Sequence, residues 1–387
     1  MCPENENRLE ALQKSMRTAG IDAFLISSTV HLFYMTERVL DGYLYVPAAG
    51  KGVLLVRRPV LPTLPEAVYF KSPKQLPSLL CDRGLPLPRR LALEDCELTH
   101  ADFTATAGLF AKSEVVEGSF LLHRLRMIKS DHEIELLREG ARAHEAVYEY
   151  IPRLYRDGMT DWELTAEVDR YVRLTGHLGI MRCAGTKMEA CASLVLSGDN
   201  AGTPSPYDFS LPGGGRHPSA PLGADGRVLQ PGDTVSVDFC GNINGYLTDI
   251  TRTYAVGFIR PEAAESHRLS MSILREMERI VHPGVLCSEL FHRAWEMAKA
   301  AGYGDRFMGQ AQQAKFIGHG IGLQVNELPV LTKNDHTPLA PGMVIAIEPK
   351  LVCPGVGPTG IENTYLVTRV GLEKLTHATE DILLMGD

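Results

Sequence analysis

Five residues of this chain have side chains of the types that bind divalent metal ions. They are four carboxylates and one imidazole: Asp238, Asp249, His319, Glu348 and Glu362. Four carboxylates that met in one pocket would repel one another, and most of them would have to take up protons. Two divalent cations would neutralise them, so these residues predict a dinuclear metal site and an enzyme built around it.

The first two carboxylates lie in strand-like segments on either side of an Asn-Gly pair at 244–245. Asn-Gly is the strongest short signal for a two-residue hairpin turn. In the register that this turn sets, Asp249 lies opposite Cys240 and is a diagonal neighbour of Asp238, at a backbone distance of about 7–8 Å. From there both carboxylates can reach a pair of metal ions about 3.5–4 Å apart.

The other three residues also occupy strand-like or glycine-bounded positions. His319 has a glycine on each side, which lets the backbone approach a neighbour closely. Glu348 follows the apolar run 343–347, and Pro349 predicts that this strand stops there or lies at an edge. Glu362 opens a further strand-like run. A carboxylate at the end of a buried apolar strand needs a partner, because ionised groups are rarely buried unpaired.

The segments around these residues resemble the "pita-bread" metallopeptidase family M24, in its prolidase-like branch. The segments are VDFCG, YLTDITRTY, GHGIGL, AIEP and IENTYLVT. The family contains methionine aminopeptidases, Xaa-Pro aminopeptidases, prolidases and creatinase. The resemblance covers roughly 124–387, and the segment 126–134 resembles the start of that domain. It implies a pita-bread catalytic domain that carries the five residues as metal ligands.

Three positions depart from the family pattern. Peptidase members usually have a second histidine seven residues after the first, where this chain has Asn326. They have another after a Ser-Gly-x-Asn-x-x-x-Pro stretch, where this chain has Ser205, and an arginine where it has Gly360. The family uses the two histidines to bind substrate and to stabilise or protonate the tetrahedral intermediate. We therefore expect Asn326 and Ser205 to contact a different substrate, and cleavage of Xaa-Pro peptides to be weak or absent.

Further residues are candidates for catalysis or substrate binding. The family mechanism implies that Glu348 or Glu362 accepts a proton. Glu327 is a candidate base, or else forms a structural salt bridge. His217 lies in the Gly- and Pro-rich stretch 202–231, which is long for a plain connection and is predicted either to shape the substrate pocket or to be a surface excursion. The segment around His31 resembles a loop that can reach the active site across a dimer in prolidase-like relatives.

The predicted reaction is hydrolysis of a C–N bond in a small, peptide-like substrate. The predicted cofactor is two divalent ions, with Mn²⁺ favoured and Co²⁺, Fe²⁺ or Zn²⁺ as alternatives, because this ligand set does not select among them. A second hypothesis is a non-peptidase enzyme on the same scaffold, such as a creatinase-like hydrolase or a lyase. A third is a protein that has lost most catalysis and binds partners. Metal content separates the third hypothesis from the other two.

Composition limits the remaining possibilities. A net charge of −8 disfavours general nucleic-acid binding, which needs basic surfaces. No apolar run approaches the roughly 18 residues of a membrane span, and the polar, acidic N-terminus is unlike a signal peptide. The eight cysteines include no CxxC pair and are interpreted as reduced thiols in a cytoplasmic protein. The resemblance implies a homodimer.

Helical and strand-like patterns predict two domains. A helix at 6–19 with strands at 23–26 and 52–56 predicts a small α/β domain at 1–122. An α+β pita-bread domain is predicted at 123–387. Its predicted helices start at capping boxes and at a proline suited to a first turn: Ser130 with Glu133, Thr160 with Glu163, and Pro261; a further helix is predicted at 288–301. The proline-rich stretch 58–90 is predicted to form loops and short strands.

Overall fold

The computed structural model describes residues 3–185 and 187–386 and divides the chain into two compact units, Met1–Arg126 and Met127–Asp387. Among the described residues, no helix is long and apolar enough to cross a membrane.

The first unit is built on a six-stranded sheet in the order β4-β3-β2-β1-β5-β6. The strands are β1 Ala23–Ile26, β2 Asp41–Pro47, β3 Val53–Arg58, β4 Val68–Tyr69, β5 Arg90–Leu93 and β6 Glu114–Glu117. The helices are α1 Pro3–Thr18, α2 Thr29–Thr36, α3 Leu76–Cys81, α4 His100–Leu109 and α5 Ser119–Met127. All four residues of β1 are buried, as its unbroken apolar run requires of a central strand.

Among the helices of this unit that were not predicted from the sequence are α2 and α3. The segment around His31 is the helix α2, because the Ser28 side chain caps its N-terminus and Glu37 ends it in the left-handed conformation. The stretch 58–90 contains α3, whose Pro77 lies in the first turn, where proline costs no hydrogen bond.

The second unit contains two larger sheets and a two-stranded ribbon. One sheet has the order β17-β9-β8-β7, the other β11-β10-β12-β15-β16, and β13 pairs with β14. The strands are β7 Leu194–Ser197, β8 Thr234–Asn242, β9 Leu247–Val256, β10 Phe316–Gly320, β11 Glu327–Thr332, β12 Val344–Ile347, β13 Lys350–Cys353, β14 Gly357–Gly360, β15 Asn363–Val367, β16 Leu372–Lys374 and β17 Leu383–Met385. The helices are α6 Asp131–Tyr148, α7 Asp161–Leu174, α8 Pro261–Ile280 and α9 Cys287–Ala300. Both predicted capping boxes are present, at the N-termini of α6 and α7.

The β8–β9 hairpin has the predicted register. Asp249 pairs with Cys240, and Asp238 pairs with Thr251. The two sheets of this unit meet beside the hairpin, where Thr251 forms an antiparallel bridge with Glu362. The residues 203–233 are all described, and none of them lies in a helix or a strand.

Candidate metal centre

A cavity of about 240 Å³ in the second unit brings together all five predicted metal ligands. They come from different strands: Asp238 from β8, Asp249 from β9, His319 from β10, Glu348 from the end of β12 and Glu362 from the residue before β15. Because β10 pairs with β12 and β12 pairs with β15, the last three side chains are held next to one another.

Glycines on both sides of His319 allow this close packing. A Cβ atom at Gly318 would lie 2.1 Å from the carbonyl oxygen of Ala346, and one at Gly320 would lie 2.2 Å from that of Leu328. A side chain at either position would push β10 away from its neighbours and would displace the imidazole. The glycines that bound His319 in the sequence therefore fix its position.

The five side chains form one cluster, and the half of it that contains Asp249, His319 and Glu362 has the features of a cation site. Ligand atoms of Asp249, His319 and Glu362 lie within 4.8 Å of one another. The Oδ1 atom of Asp249 and the Oε1 atom of Glu362 are buried and have no hydrogen-bond partner among the described residues. The Nε2 atom of His319 lies 3.4 Å from Oε1 of Glu348. Buried carboxylate oxygens without partners are costly, and a divalent cation fits this donor set.

The other half of the cluster contains a cation of the protein itself. The Nζ atom of Lys350 donates hydrogen bonds to Glu348 Oε2 at 2.7 Å, Asp238 Oδ2 at 2.8 Å and Glu362 Oε2 at 3.1 Å. It also lies 2.8 Å from the Ser210 hydroxyl. Lys350 was not among the residues predicted from the sequence, although a residue two positions after Glu348 in an extended segment points to the same face.

Burial and mutual charge shift the pKa values of these side chains in opposite directions. Burial, with the charge of Asp238, raises the pKa of Asp249 to about 7, and burial raises that of Glu362 well above its usual value. Burial alone would raise the pKa of Glu348 and lower that of His319, because it disfavours the charged form of each side chain. However, the Lys350 charge and the His319 contact lower the pKa of Glu348 to about 2, and the contact with Glu348 raises that of His319 to about 9.

The raised pKa values of Asp249 and His319 predict that the metal-free protein becomes less stable as the pH rises above about 4. The raised pKa of Asp249 stabilises the fold at low pH, and this stabilisation is lost as the pH rises from about 4 to about 7. The raised pKa of His319 stabilises the fold fully below about 6.5, and this is lost as the pH rises through about 9. We expect Asp249→Asn to flatten the first part of this decline in chelator-treated protein, measured as the free energy of unfolding between pH 4 and pH 7. An equal slope in both proteins would contradict the assignment.

The predicted substrate residues lie in different places. Asn326 lines the cavity, but its side-chain amide accepts a hydrogen bond from Ala184 N at 2.6 Å and donates one to Ala184 O at 3.2 Å. Ser205 is buried outside the cavity lining and donates to the Pro221 carbonyl at 2.6 Å. His217 lines a separate cleft and contacts Ser219. The structure therefore brings only Asn326 of these three to the carboxylates.

Glu327 and His31 are engaged elsewhere. Glu327 accepts hydrogen bonds from the backbone N–H groups of Leu323 and Gln324 and pairs with Lys129 at 3.1 Å, outside the cavity lining. This is the arrangement of the predicted alternative, a structural salt bridge. In the first unit, His31 donates through Nδ1 to Glu94 at 2.6 Å and accepts from Arg126 at Nε2 at 2.9 Å.

The rest of the cavity wall is mainly apolar. The segment 202–231 contributes Asp208, Phe209, Ser210 and Leu222 to it. Other apolar lining residues are Met181, Met188, Leu194, Phe316, Val325 and Val330. Among the described residues, no lysine or arginine side chain lines this cavity. In the described part of the chain, the wall therefore offers acidic and apolar contacts, the Ser210 hydroxyl and the Asn326 amide, but no lysine or arginine as a partner for a substrate carboxylate.

Comparison with known proteins gives matches over both units. Residues 8–128 match the model of the creatinase/prolidase N-terminal domain, and residues 135–369 match that of metallopeptidase family M24. An uncharacterized peptidase of Bacillus subtilis is 26% identical over 98% of this chain and 100% of its own length. An Xaa-Pro dipeptidase of Pyrococcus furiosus is 28% identical over 98% and 100% of the two chains. The solved structure of an Xaa-Pro dipeptidase from Bacillus anthracis superposes with a TM-score of 0.82 at 25% identity, covering 98% of this chain and 100% of that one.

Proposed function

This chain belongs to metallopeptidase family M24, and from that premise we propose that it cleaves a C–N bond in a small, peptide-like substrate by means of divalent metal in the carboxylate cavity. Membership makes the protein a hydrolase and confirms the predicted fold class, an α/β N-terminal domain followed by an α+β pita-bread domain. The observation that carries the proposal is the pair of unpartnered buried oxygens, on Asp249 and Glu362, beside His319.

The residues that would hold the metal are Asp249, His319, Glu348 and Glu362, and Mn²⁺ is the ion we propose first. A bound divalent ion supplies Lewis acidity, which activates water and polarises a substrate carbonyl. The chain itself supplies a proton acceptor. Of the two predicted acceptors, both oxygens of Glu348 have neighbours within 3.4 Å, whereas Oε1 of Glu362 has no hydrogen-bond partner among the described residues. We therefore propose the carboxylate of Glu362, and not that of Glu348, as the acceptor of the proton.

The acidic and apolar side chains of the cavity wall favour a substrate that carries a neutral, apolar group there. A dipeptide carries a terminal carboxylate close to the bond that is cleaved. In the part of the wall that the structure describes, this carboxylate would meet Asp208, Asp238 and apolar side chains. Burying an unpaired carboxylate beside two others is unfavourable. We propose that the substrate has an amide, an ester or a longer peptide at that end.

The domain division at 122/123, the homodimer and the cytoplasmic location also remain proposals. The seven described cysteines are all free, which supports a reducing environment. A non-peptidase reaction on the same scaffold is the second candidate. It is favoured by Asn326, whose amide is tied to Ala184 at the position where the family pattern has a substrate histidine.

We expect metal-dependent release of amino acids from neutral peptide amides and only weak hydrolysis of Gly-Pro and Ala-Pro. Each missing hydrogen-bond donor to the tetrahedral intermediate costs about 10²–10³ in rate, so the Xaa-Pro rate should lie at least about 10²-fold below that of an ordinary Xaa-Pro dipeptidase assayed alongside. The measurement is amino-acid release from a panel of dipeptides and peptide amides, with and without chelator. Cleavage that persists in chelator, or no cleavage of any C–N bond in the panel, would contradict the proposal.

A further inference from the structure

We infer that the ammonium group of Lys350 occupies the place of a second metal ion, so that the carboxylate cavity of this chain binds one divalent cation instead of two. The inference rests on the proposed metal-dependent function and assigns the number of metal ions. The four carboxylates predict two metal ions, and this inference replaces that number by one.

The first support is the position of the Lys350 Nζ atom. Ligand atoms of Asp238, Glu348 and Glu362 form a group within 4.8 Å that is suited to a cation. The Nζ atom lies within 2.7–3.1 Å of one oxygen from each of these three carboxylates. Together with the Ser210 hydroxyl, these oxygens are four acceptors for the three N–H donors of a protonated lysine, so the ammonium has no donor left. The ammonium therefore lies among the oxygens that a second metal ion would need.

The second support is that the lysine is fixed there. The side chain of Lys350 is 2% exposed, and the residue opens β13. Its carbonyl accepts a hydrogen bond from Met308 N at 2.8 Å. Moving the ammonium away from the carboxylates would leave three of them without it and would open a packed interior. Breaking a buried pair in this way is strongly unfavourable.

The third support is the residue opposite. Lys350 pairs with Gly360 across the β13–β14 ribbon. A Cβ atom at Gly360 would lie 2.8 Å from both Cα and Cγ of Lys350. The arginine that the family pattern places at this position would therefore displace the lysine stem. The glycine and the lysine form one arrangement, in which Lys350 leaves no room for a side chain at 360 and its ammonium reaches the carboxylates.

Charge gives the fourth support. Two divalent cations would balance the four carboxylates, and the ammonium would then be an excess positive charge in the same buried cluster. Like charges repel strongly in a buried site. One divalent ion in the half of the cluster formed by Asp249, His319 and Glu362 avoids this conflict, and the two unpartnered oxygens lie in that half.

The test is the number of metal ions bound per chain. Chelator-treated protein is titrated with Mn²⁺ by calorimetry, and metal content is measured after dialysis. We expect one ion per chain in the natural protein and two in Lys350→Ala, which vacates the place of the ammonium. The matched control is Lys129→Met, since Lys129 is also buried and paired with a glutamate, but outside this cluster. The control is expected to bind one ion.

The possible outcomes separate the inferred number of metal ions from the proposed function itself. Two ions in the natural protein, or one in both the natural protein and Lys350→Ala, would overturn the inference and leave the proposed function standing. No ion in any of them would remove the proposed function as well. If Lys350→Ala does not fold, the double variant Lys350→Gly/Gly360→Arg, which removes the lysine stem and places the family's arginine opposite, is expected to bind two. Electron paramagnetic resonance of the natural protein with two equivalents of Mn²⁺ is expected to show isolated ions, and a spin-coupled pair would refute the inference.

Discussion

His319→Ala is expected to lower kcat/KM on a peptide amide by about 10²–10³-fold or more, because a metal ion supplies several kcal/mol of transition-state stabilisation and each ~1.4 kcal/mol is tenfold in rate. His319 is the imidazole in the group formed with Asp249 and Glu362. Without it the cavity keeps only carboxylate oxygens as donors, and Mn²⁺ affinity should fall together with the rate. The measurement is kcat/KM and Mn²⁺ affinity in the same preparation.

The control for this variant is His177→Ala. His177 is also buried, but it does not line the cavity. Its imidazole forms hydrogen bonds with the Cys240 carbonyl and the Gly179 backbone N–H. We expect this control to keep its Mn²⁺ affinity, so that general damage to the fold is distinguished from loss of a ligand. A His319→Ala protein with unchanged affinity and rate would show that the metal lies elsewhere.

Lys350→Met is expected to destabilise the metal-free protein by about 3–5 kcal/mol, the cost typical of removing one partner from a buried ion pair. Methionine keeps most of the buried stem, so the loss comes from the ammonium and from the three carboxylates that lose its hydrogen bonds. Saturating Mn²⁺ should recover much of this loss, because it neutralises part of the same cluster. The measurement is the free energy of unfolding with chelator and with Mn²⁺.

Lys374→Met is the matched control for that stability change. Lys374 pairs with Glu380 at 2.8 Å, but its side chain is 25% exposed, and pairs of this kind contribute about 0–1 kcal/mol. If Lys350→Met proved as stable in chelator as the natural protein, the ammonium would not be neutralising the carboxylates.

The parts of the site that local sequence determines were predictable. The Asn-Gly turn fixes the β8–β9 register, and with it the relation between Asp238 and Asp249. The glycines beside His319 and the proline after Glu348 fix where those strands approach and end. In each case one or two neighbouring residues restrict the backbone, so the pattern can be interpreted without the rest of the chain.

The parts that depend on distant contacts were not predictable. The path of 202–231 has no regular period, so no pattern of residues indicated that Ser205 turns to the Pro221 carbonyl and away from the cavity. The ion pair of Glu327 needs Lys129, which is far away in sequence. Lys350 shows the limit most clearly. The departure from the family pattern at Gly360 is visible in the sequence, but its connection with Lys350 is not. Only the pairing of β13 with β14 brings these two residues opposite each other.

The most direct test of the account is a crystal of the protein grown with excess Mn²⁺ and examined by anomalous diffraction. We predict one strong peak at coordination distance, about 2.0–2.2 Å for oxygen and nitrogen donors, from Asp249, His319 and Glu362, with Lys350 still contacting Asp238. Absence of any peak between these side chains, or a metal bound only elsewhere on the chain, would contradict the proposal that this cavity is a metal centre.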